Sequence, residues 1–202
     1  DSKVLRRLRG NDATMIFQEP MTALSSFYTI GDQIVEALRQ HKRVTKNQAR
    51  AKAIEVLEAV GMPDPQTQME SYTLEKASSK TQHLSGGQRQ RAMIAMALMT
   101  NPRLLIADEP TTALDVTTQA VILDLMRTIQ KKFEMSILFI THDLGVVSEI
   151  ADEVVVMYLG EVVESGPVEQ IFSNPRHPYT RALISAAPHY AGNQESRLPV
   201  IP

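Results

Sequence analysis

The chain has 202 residues, 43% of them hydrophobic and 22% charged, with a formal net charge of −2 and no cysteine. That is enough chain for one substantial domain, or a domain with a subdomain, of ordinary globular composition. The charge argues against a general nucleic-acid-binding surface, and the missing thiols exclude disulfides and cysteine-ligated zinc or iron–sulfur centres within these residues.

No apolar run approaches the ~20 residues needed to cross a bilayer. The N-terminus, Asp1 to Gly10, is basic and has no apolar core after it, so no signal peptide is read there. The chain starts on Asp1 without Met and stops at Ile201-Pro202, which reads as a piece of a longer protein.

In chain order, Ala13-Thr14-Met15-Ile16-Phe17 is short and apolar, which predicts a strand, with Gln18 at its junction with a loop. Residues 29–41 read as a helix with Ile30, Ile34 and Leu38 on one face. Thr45 before Lys46-Asn47-Gln48 fits a capping box, with Thr at the N-cap and Gln at the third helical position. Ala49, Ala53, Val56, Leu57 and Val60 then form one stripe, and Gly61 suits the position just past the helix end. Met62 to His83 is a polar, Pro-containing connection.

Leu84-Ser85-Gly86-Gly87-Gln88-Arg89-Gln90-Arg91 follows. Gly-Gly at the start of a helix lets backbone N–H groups approach an anion closely, where the helix terminus favours negative charge. The helix itself, Ala92 to Met99, is apolar nearly all round and should be buried; its methionines read as core packing. Asn101-Pro102 ends it.

Leu104 to Ala107 is a continuous apolar run, the mark of a central parallel strand, and delivers Asp108-Glu109-Pro110 at its end. Such a carboxylate pair suits a divalent cation plus a base for water, or else caps loops through backbone N–H groups. Thr117 to Phe133 is amphipathic, with Ile122, Leu125, Met126, Ile129 and Phe133 on one side. Asp115 stands where an N-cap for that helix belongs. Ile137 to Ile140 predicts a second buried strand, with His142 just past it. A helix over Val146 to Ala151, a strand over Val154 to Met157, a turn at Gly160 and a short helix over Pro167 to Phe172 complete the pattern, and Gly192 onward reads as linker. Alternation of strands and helices predicts an α/β sheet with ligands at the strand C-terminal ends.

LSGGQ followed by Leu104-Leu105-Ile106-Ala107-Asp108-Glu109-Pro110, then Ala113-Leu114-Asp115 and Ile140-Thr141-His142, resembles the ATPase subunit of an ABC transporter. Ile16-Phe17-Gln18-Glu19-Pro20-Met21-Thr22, Thr111-Thr112-Ala113-Leu114-Asp115-Val116-Thr117 and His177-Pro178-Tyr179-Thr180 resemble the dipeptide, oligopeptide and nickel importers within that family. The resemblance covers nearly the whole chain. It breaks at 73–81, which reads as an insertion in place of the Tyr-Pro-His-like segment usual before the signature.

The resemblance implies a partial P-loop NTPase core, α/β with a parallel sheet, plus a helical subdomain. It divides the chain into a core remnant over 1–18 ending at the Q-loop, a helical subdomain with the signature over 19–95, a RecA-like core over 96–172 and an importer-type tail over 173–202. It implies ATP and Mg²⁺ as ligands. Glu109 would be the catalytic base and His142 the switch histidine at the γ-phosphate. Gln18 would meet the cation and the attacking water, and Asp108 would hold the cation. Ser85, Gly86, Gly87 and Gln88 would bind the γ-phosphate of ATP held by a second ATPase subunit, identical or not, with Asp115 at that interface. Further implied partners are transmembrane permease subunits and, indirectly, a solute-binding protein, at the cytoplasmic face of the bacterial inner membrane; no nucleic acid is implied. For Gln18 a solvated turn glutamine remains an alternative, and Asp115 can serve as cap and interface residue together.

A phosphate loop of the form GxxxxGK[ST] is absent: none of the nine glycines precedes a lysine. A helix terminus contributes only ~0.3–2 kcal/mol toward an anion, against roughly 8 kcal/mol for micromolar affinity. These residues alone are therefore expected to bind ATP weakly and hydrolyse little. Two other readings stand beside transport: an ABC ATPase working without a transporter, and a non-enzymatic interaction fragment.

Overall fold

The computed structural model describes residues 4–5, 8–18, 24–72, 84–112 and 114–186. The expected Q-loop residues Glu19 to Thr22, the insertion over 73–81, Ala113 and the linker from Gly192 lie outside them. The chain forms two compact units, Asp1–Ile140 and Thr141–Pro202.

In the first unit a parallel sheet is built from β1 (Ala13–Ile16), β2 (Leu104–Asp108) and β3 (Ser136–Ile140), in the order β1-β2-β3. The register sets Ile16 beside Ala107 and Asp108 beside Ile140, so the C-terminal ends of all three strands lie level. A β-branched or leucine-rich run makes each strand, and β2 is central as its unbroken apolar run predicts. Alternation decides which side chains pack: Ile16, Leu105 and Ala107 are at most 1% exposed.

The strand over 137–140 is not buried as expected. Leu138 is 51% and Ile140 44% exposed, and Met15, which shares their side of the sheet through Ile106, is 38% exposed. A strand carries two faces, and on this one Met15, Leu138 and Ile140 remain open to solvent among the described residues.

The helices α1 (Ile30–Arg39), α2 (Lys46–Ala59) and α4 (Gly86–Leu98) pack on one another, with the short α3 (Pro65–Gln68) beside α2. Their shared core contains Ile30, Ile34, Ala53, Leu57, Ile94 and Leu98, all fully buried. Each large aliphatic side chain there is worth about 1.5–3 kcal/mol. The capping box of α2 is present: Thr45 accepts from the Gln48 N–H, and Gln48 accepts from the Thr45 N–H. Gly61, at φ +67°, ends the helix in the left-handed conformation that glycine adopts without cost. Helix α4 also packs on β1, and α5 (Val116–Phe133) packs on α4. The predicted stripe of α5 is buried at Ile122, Leu125, Met126 and Ile129, whereas Phe133, in its last turn, is only half-buried.

The second unit begins with α6 (Leu144–Ile150), capped by Asp143, which accepts from the Gly145 and Val146 N–H groups. The expected strand over 154–157 does not extend the parallel sheet. It is β4 (Glu153–Tyr158), and it pairs antiparallel with β5 (Glu161–Pro167) in a separate two-stranded sheet. Leu159 and Gly160 link them, at φ +49° and +85°. Positive φ at both loop residues gives the turn twist that closes a two-residue hairpin.

Helix α7 (Val168–Ser173) packs on this hairpin. The final helix, α8 (Pro178–Ser185), is held to it by the His177-Pro178-Tyr179-Thr180 stretch. His177 is the N-cap, its Nδ1 accepting from the Tyr179 N–H, and Pro178 sits in the first turn, where no N–H is needed. Tyr179 lies 4.4 Å from Tyr158, ring to ring, and Thr180 is buried. The Glu164 carboxylate of β5 accepts from the N–H groups of Arg176 and His177. Burial pushes its pKa up, but the Thr180 hydroxyl, those two N–H groups and the His177 charge outweigh it and hold the carboxyl below its usual range.

Candidate functional site

The C-terminal end of the parallel sheet gathers three chain segments. Strand β1 ends at Ile16 and delivers Gln18; β2 ends at Asp108 and delivers Glu109; β3 ends at Ile140. Gln18 Nε2 donates to Glu109 Oε2 at 3.0 Å, and Thr112 Oγ donates to the same oxygen at 2.9 Å. Two donors on one carboxylate oxygen fix the direction of the other, Oε1. They also leave the Gln18 carbonyl oxygen, Oε1, as a hard acceptor of the kind magnesium takes.

Glu109 has φ +44°, left-handed for a residue with a side chain. That conformation costs of order 1–3 kcal/mol and persists only where the surroundings hold it. Three hydrogen bonds do so here. The Glu109 N–H donates to the Ile140 carbonyl at 2.9 Å, the Thr112 N–H donates to the Glu109 carbonyl at 3.1 Å, and Gln90 Nε2 donates to the Pro110 carbonyl at 2.6 Å. The sharp turn after β2 sends the Glu109 side chain away from the strand and toward Gln18.

Asp108 is half-buried at the last position of β2. Asp108 and Gln18 supply a carboxylate and an amide oxygen, donors of the kind a hard cation completed by waters and phosphate oxygens takes. Among the described residues no group of three or more His, Cys, Asp or Glu gathers as a protein-only metal cage.

The start of α4 is a second candidate. Ser85 is its N-cap, and a capping box closes it: Ser85 Oγ accepts from the Gln88 N–H at 3.3 Å, and Gln88 Oε1 accepts from the Ser85 N–H at 2.8 Å. Each side chain thereby spends an acceptor on the cap and keeps its donors, the Ser85 hydroxyl proton and the Gln88 amide N–H groups. The Gly86 and Gly87 N–H groups occupy the first turn, where a helix offers no carbonyl partner. A donor-rich, solvent-facing helix start is the right surface for a phosphate. A side chain at Gly86 would meet nothing within 4 Å; one at Gly87 would lie 3.3 Å from the Thr118 methyl.

Asp115 caps α5, accepting from the Thr118 N–H at 3.0 Å and the Thr118 hydroxyl at 2.6 Å. The Thr118 hydroxyl, then its N–H, hold the Asp115 carboxyl below its usual range. His142 is exposed, two residues past β3, at the start of the second unit. Two residues of the first site were missed in the sequence. Thr112 stands three positions after Glu109, the spacing at which a Thr hydroxyl reaches back to a turn. Gln90 keeps helical step with Ile94 and Leu98, which marks it as buried.

The family description "ABC transporter" matches residues 5–112, and "Oligopeptide/dipeptide transporter, C-terminal region" matches residues 163–202. The chain belongs to the ABC transporter family. A Brucella melitensis biotype 1 protein named for peptide import and ATP binding is 55% identical over 197 residues, 98% of this chain and 56% of its own length. The oligopeptide transport ATP-binding protein OppD of Bacillus subtilis is 50% identical over 200 residues, 99% of this chain and 54% of its own. This ABC chain thus spans about half the length of the curated relatives it matches. Among solved structures, the ATP-binding cassette MJ0796, as a post-hydrolysis dimer bound to ADP and Pi, superposes with a TM-score of 0.64 at 26% identity, covering 83% of this chain and 68% of that one.

Proposed function

We propose that this chain is the catalytic and signature-bearing part of an ABC importer ATPase, which couples ATP hydrolysis to uptake of peptides or similar small solutes. The observation that carries the reading is the Glu109 carboxylate, pinned by Gln18 and Thr112 at the end of β2 beside Asp108. Hydrolysis needs a water held in line with the γ-phosphorus and a base to take its proton. Glu109 takes that proton as the water oxygen bonds to phosphorus and the bond to the bridging oxygen breaks, with ADP leaving on the electron pair. Asp108 and the Gln18 carbonyl would hold Mg²⁺, which when bound neutralises charge on the phosphate oxygens. His142 would meet the γ-phosphate.

Ser85, Gly86, Gly87 and Gln88 are proposed to close on ATP carried by a second ATPase subunit, with Asp115 at the same interface. The donor-outward capping box supports this, as does the dimeric, ADP- and Pi-bound form of MJ0796. The four-part division at residues 18, 95 and 172 follows from the same reading. Permease subunits at the cytoplasmic face of a bacterial inner membrane, and indirectly a solute-binding protein, complete the proposed assembly. The peptide class is supported by the names of the relatives and by the tail match, whose His177-Pro178-Tyr179-Thr180 helix start is built as described. That tail favours an importer over an ABC ATPase working without a transporter.

With no phosphate loop among these residues, the chain alone is proposed to turn over ATP negligibly. Phosphate release from this chain, and from a form of it extended at the N-terminus by a phosphate-loop segment, tests the reading. The longer protein should turn over and the short chain should not. Robust hydrolysis by the 202 residues would defeat the claim.

A further inference from the structure

Gln90 lies on the fourth turn-defining position after Gly86, inside α4, and is 1% exposed. Its Nε2 donates to the carbonyl of Pro110, the residue after Glu109, and its Oε1 is buried without a hydrogen-bond partner among the described residues. Pro110 offers only an acceptor there, so the amide must present its N–H group and turn its oxygen into the packed interior. An orphaned acceptor carries a desolvation cost that an apolar side chain of the same volume would avoid. An apolar side chain would, however, leave the buried Pro110 carbonyl without this donor. What the glutamine adds is one donor, aimed at the backbone of the loop that holds Glu109 in its left-handed conformation.

Resting on the proposed function, we propose that Gln90 is a positioning residue: it ties the signature helix to the catalytic turn of the same chain and holds the Glu109 carboxylate in its working direction. The anchors of that turn come from three elements. β3 supplies the Ile140 carbonyl, the turn itself supplies Thr112, and α4 supplies Gln90. Helix α4 is the one whose first turn carries Ser85 to Gln88. A shift of this helix on meeting the partner's nucleotide is thereby carried by one hydrogen bond to Pro110, next to the base. The close approach of Gly87 to Thr118 joins the same helix start to the start of α5, capped by Asp115.

The test uses the form extended by a phosphate-loop segment. Gln90→Met keeps the volume and removes the donor; Gln90→Glu keeps the shape and donates only when protonated. Gln90→Met should lower kcat about 10- to 100-fold, the scale on which misplacing a reacting group acts, with KM for ATP little changed; the melting temperature should fall too, because the buried Pro110 carbonyl loses its donor. Gln90→Glu should keep kcat while its carboxyl stays protonated, the form that burial favours, and lose it as the pH rises, relative to the wild-type profile. Unchanged kcat in Gln90→Met, or a kcat loss matched by a rise in KM, overturns the proposal. If Gln90→Met does not fold, the Gln90→Glu profile decides, and a profile parallel to wild type overturns it. Glu109→Gln runs beside both: if it leaves turnover intact, the assigned base is wrong, whatever Gln90 does.

Discussion

Gln18 and Glu109 are 91 residues apart in sequence and 3.0 Å apart in space, amide nitrogen to carboxylate oxygen. The parallel pairing of β1 with β2 makes this possible, because both strands end at the same level of the sheet. The contact joins the residue that leads into the loop after β1 to the residue proposed to activate water.

Glu109→Gln keeps the shape of this contact and removes the basicity. Turnover in the form extended by a phosphate-loop segment should fall by about 100-fold or more, the usual contribution of a general base. Nucleotide binding, followed by equilibrium titration, should persist. Activity that survives the substitution rules Glu109 out as the base.

Thr112 donates to the same oxygen as Gln18, so its loss should loosen the carboxylate without removing it. Thr112→Val should lower kcat up to about 10-fold, or ~1.4 kcal/mol in the barrier. Thr112→Ser, which keeps the hydroxyl, should restore it. Equal rates for Val and Ser would mean that the hydroxyl plays no part.

Ser85 and Thr45 occupy matching capping boxes on α4 and α2. Replacing either by Ala should cost about 1 kcal/mol of stability, read from urea unfolding. Only Ser85→Ala should also reduce ATP turnover, since only that cap faces the proposed phosphate. Similar turnover in both variants would remove Ser85 from the site.

Glu164 holds the start of α8 through two backbone N–H groups. Its carboxyl titrates below the usual range in the folded chain. The sign follows: the grip is fully present above the unfolded glutamate pKa and is lost as the pH falls through the lower folded value. Hydrogen exchange in residues 178–185, taken relative to the intrinsic rate at each pH, should therefore stay slow at neutral pH and quicken only in acid. Glu164→Gln should quicken it at neutral pH; protection unchanged in that variant would count against the clamp.

Much of this protein was legible from local chemistry. The α2 capping box, the Ile30, Ile34 and Leu38 stripe and the apolar run of β2 depend on neighbours within a few residues, and short-range spacing reports such interactions faithfully. The candidate site was legible as motifs: Ser85 to Gln88 at a helix start, Asp108 and Glu109 at a strand end. Tertiary structure alone decided the rest. An apolar run predicts a strand but says nothing of what lies against either face, so the exposure of Leu138 and Ile140 could not be read from it. Nor could the departure of β4 into a separate antiparallel sheet, which depends on its pairing with β5 across a two-residue turn. The left-handed Glu109 is likewise held from afar, by the Ile140 carbonyl of β3 and, through Pro110, by the Gln90 side chain of α4. Hydrogen bonds over such separations follow from sheet register and helix packing, which no spacing in the sequence encodes.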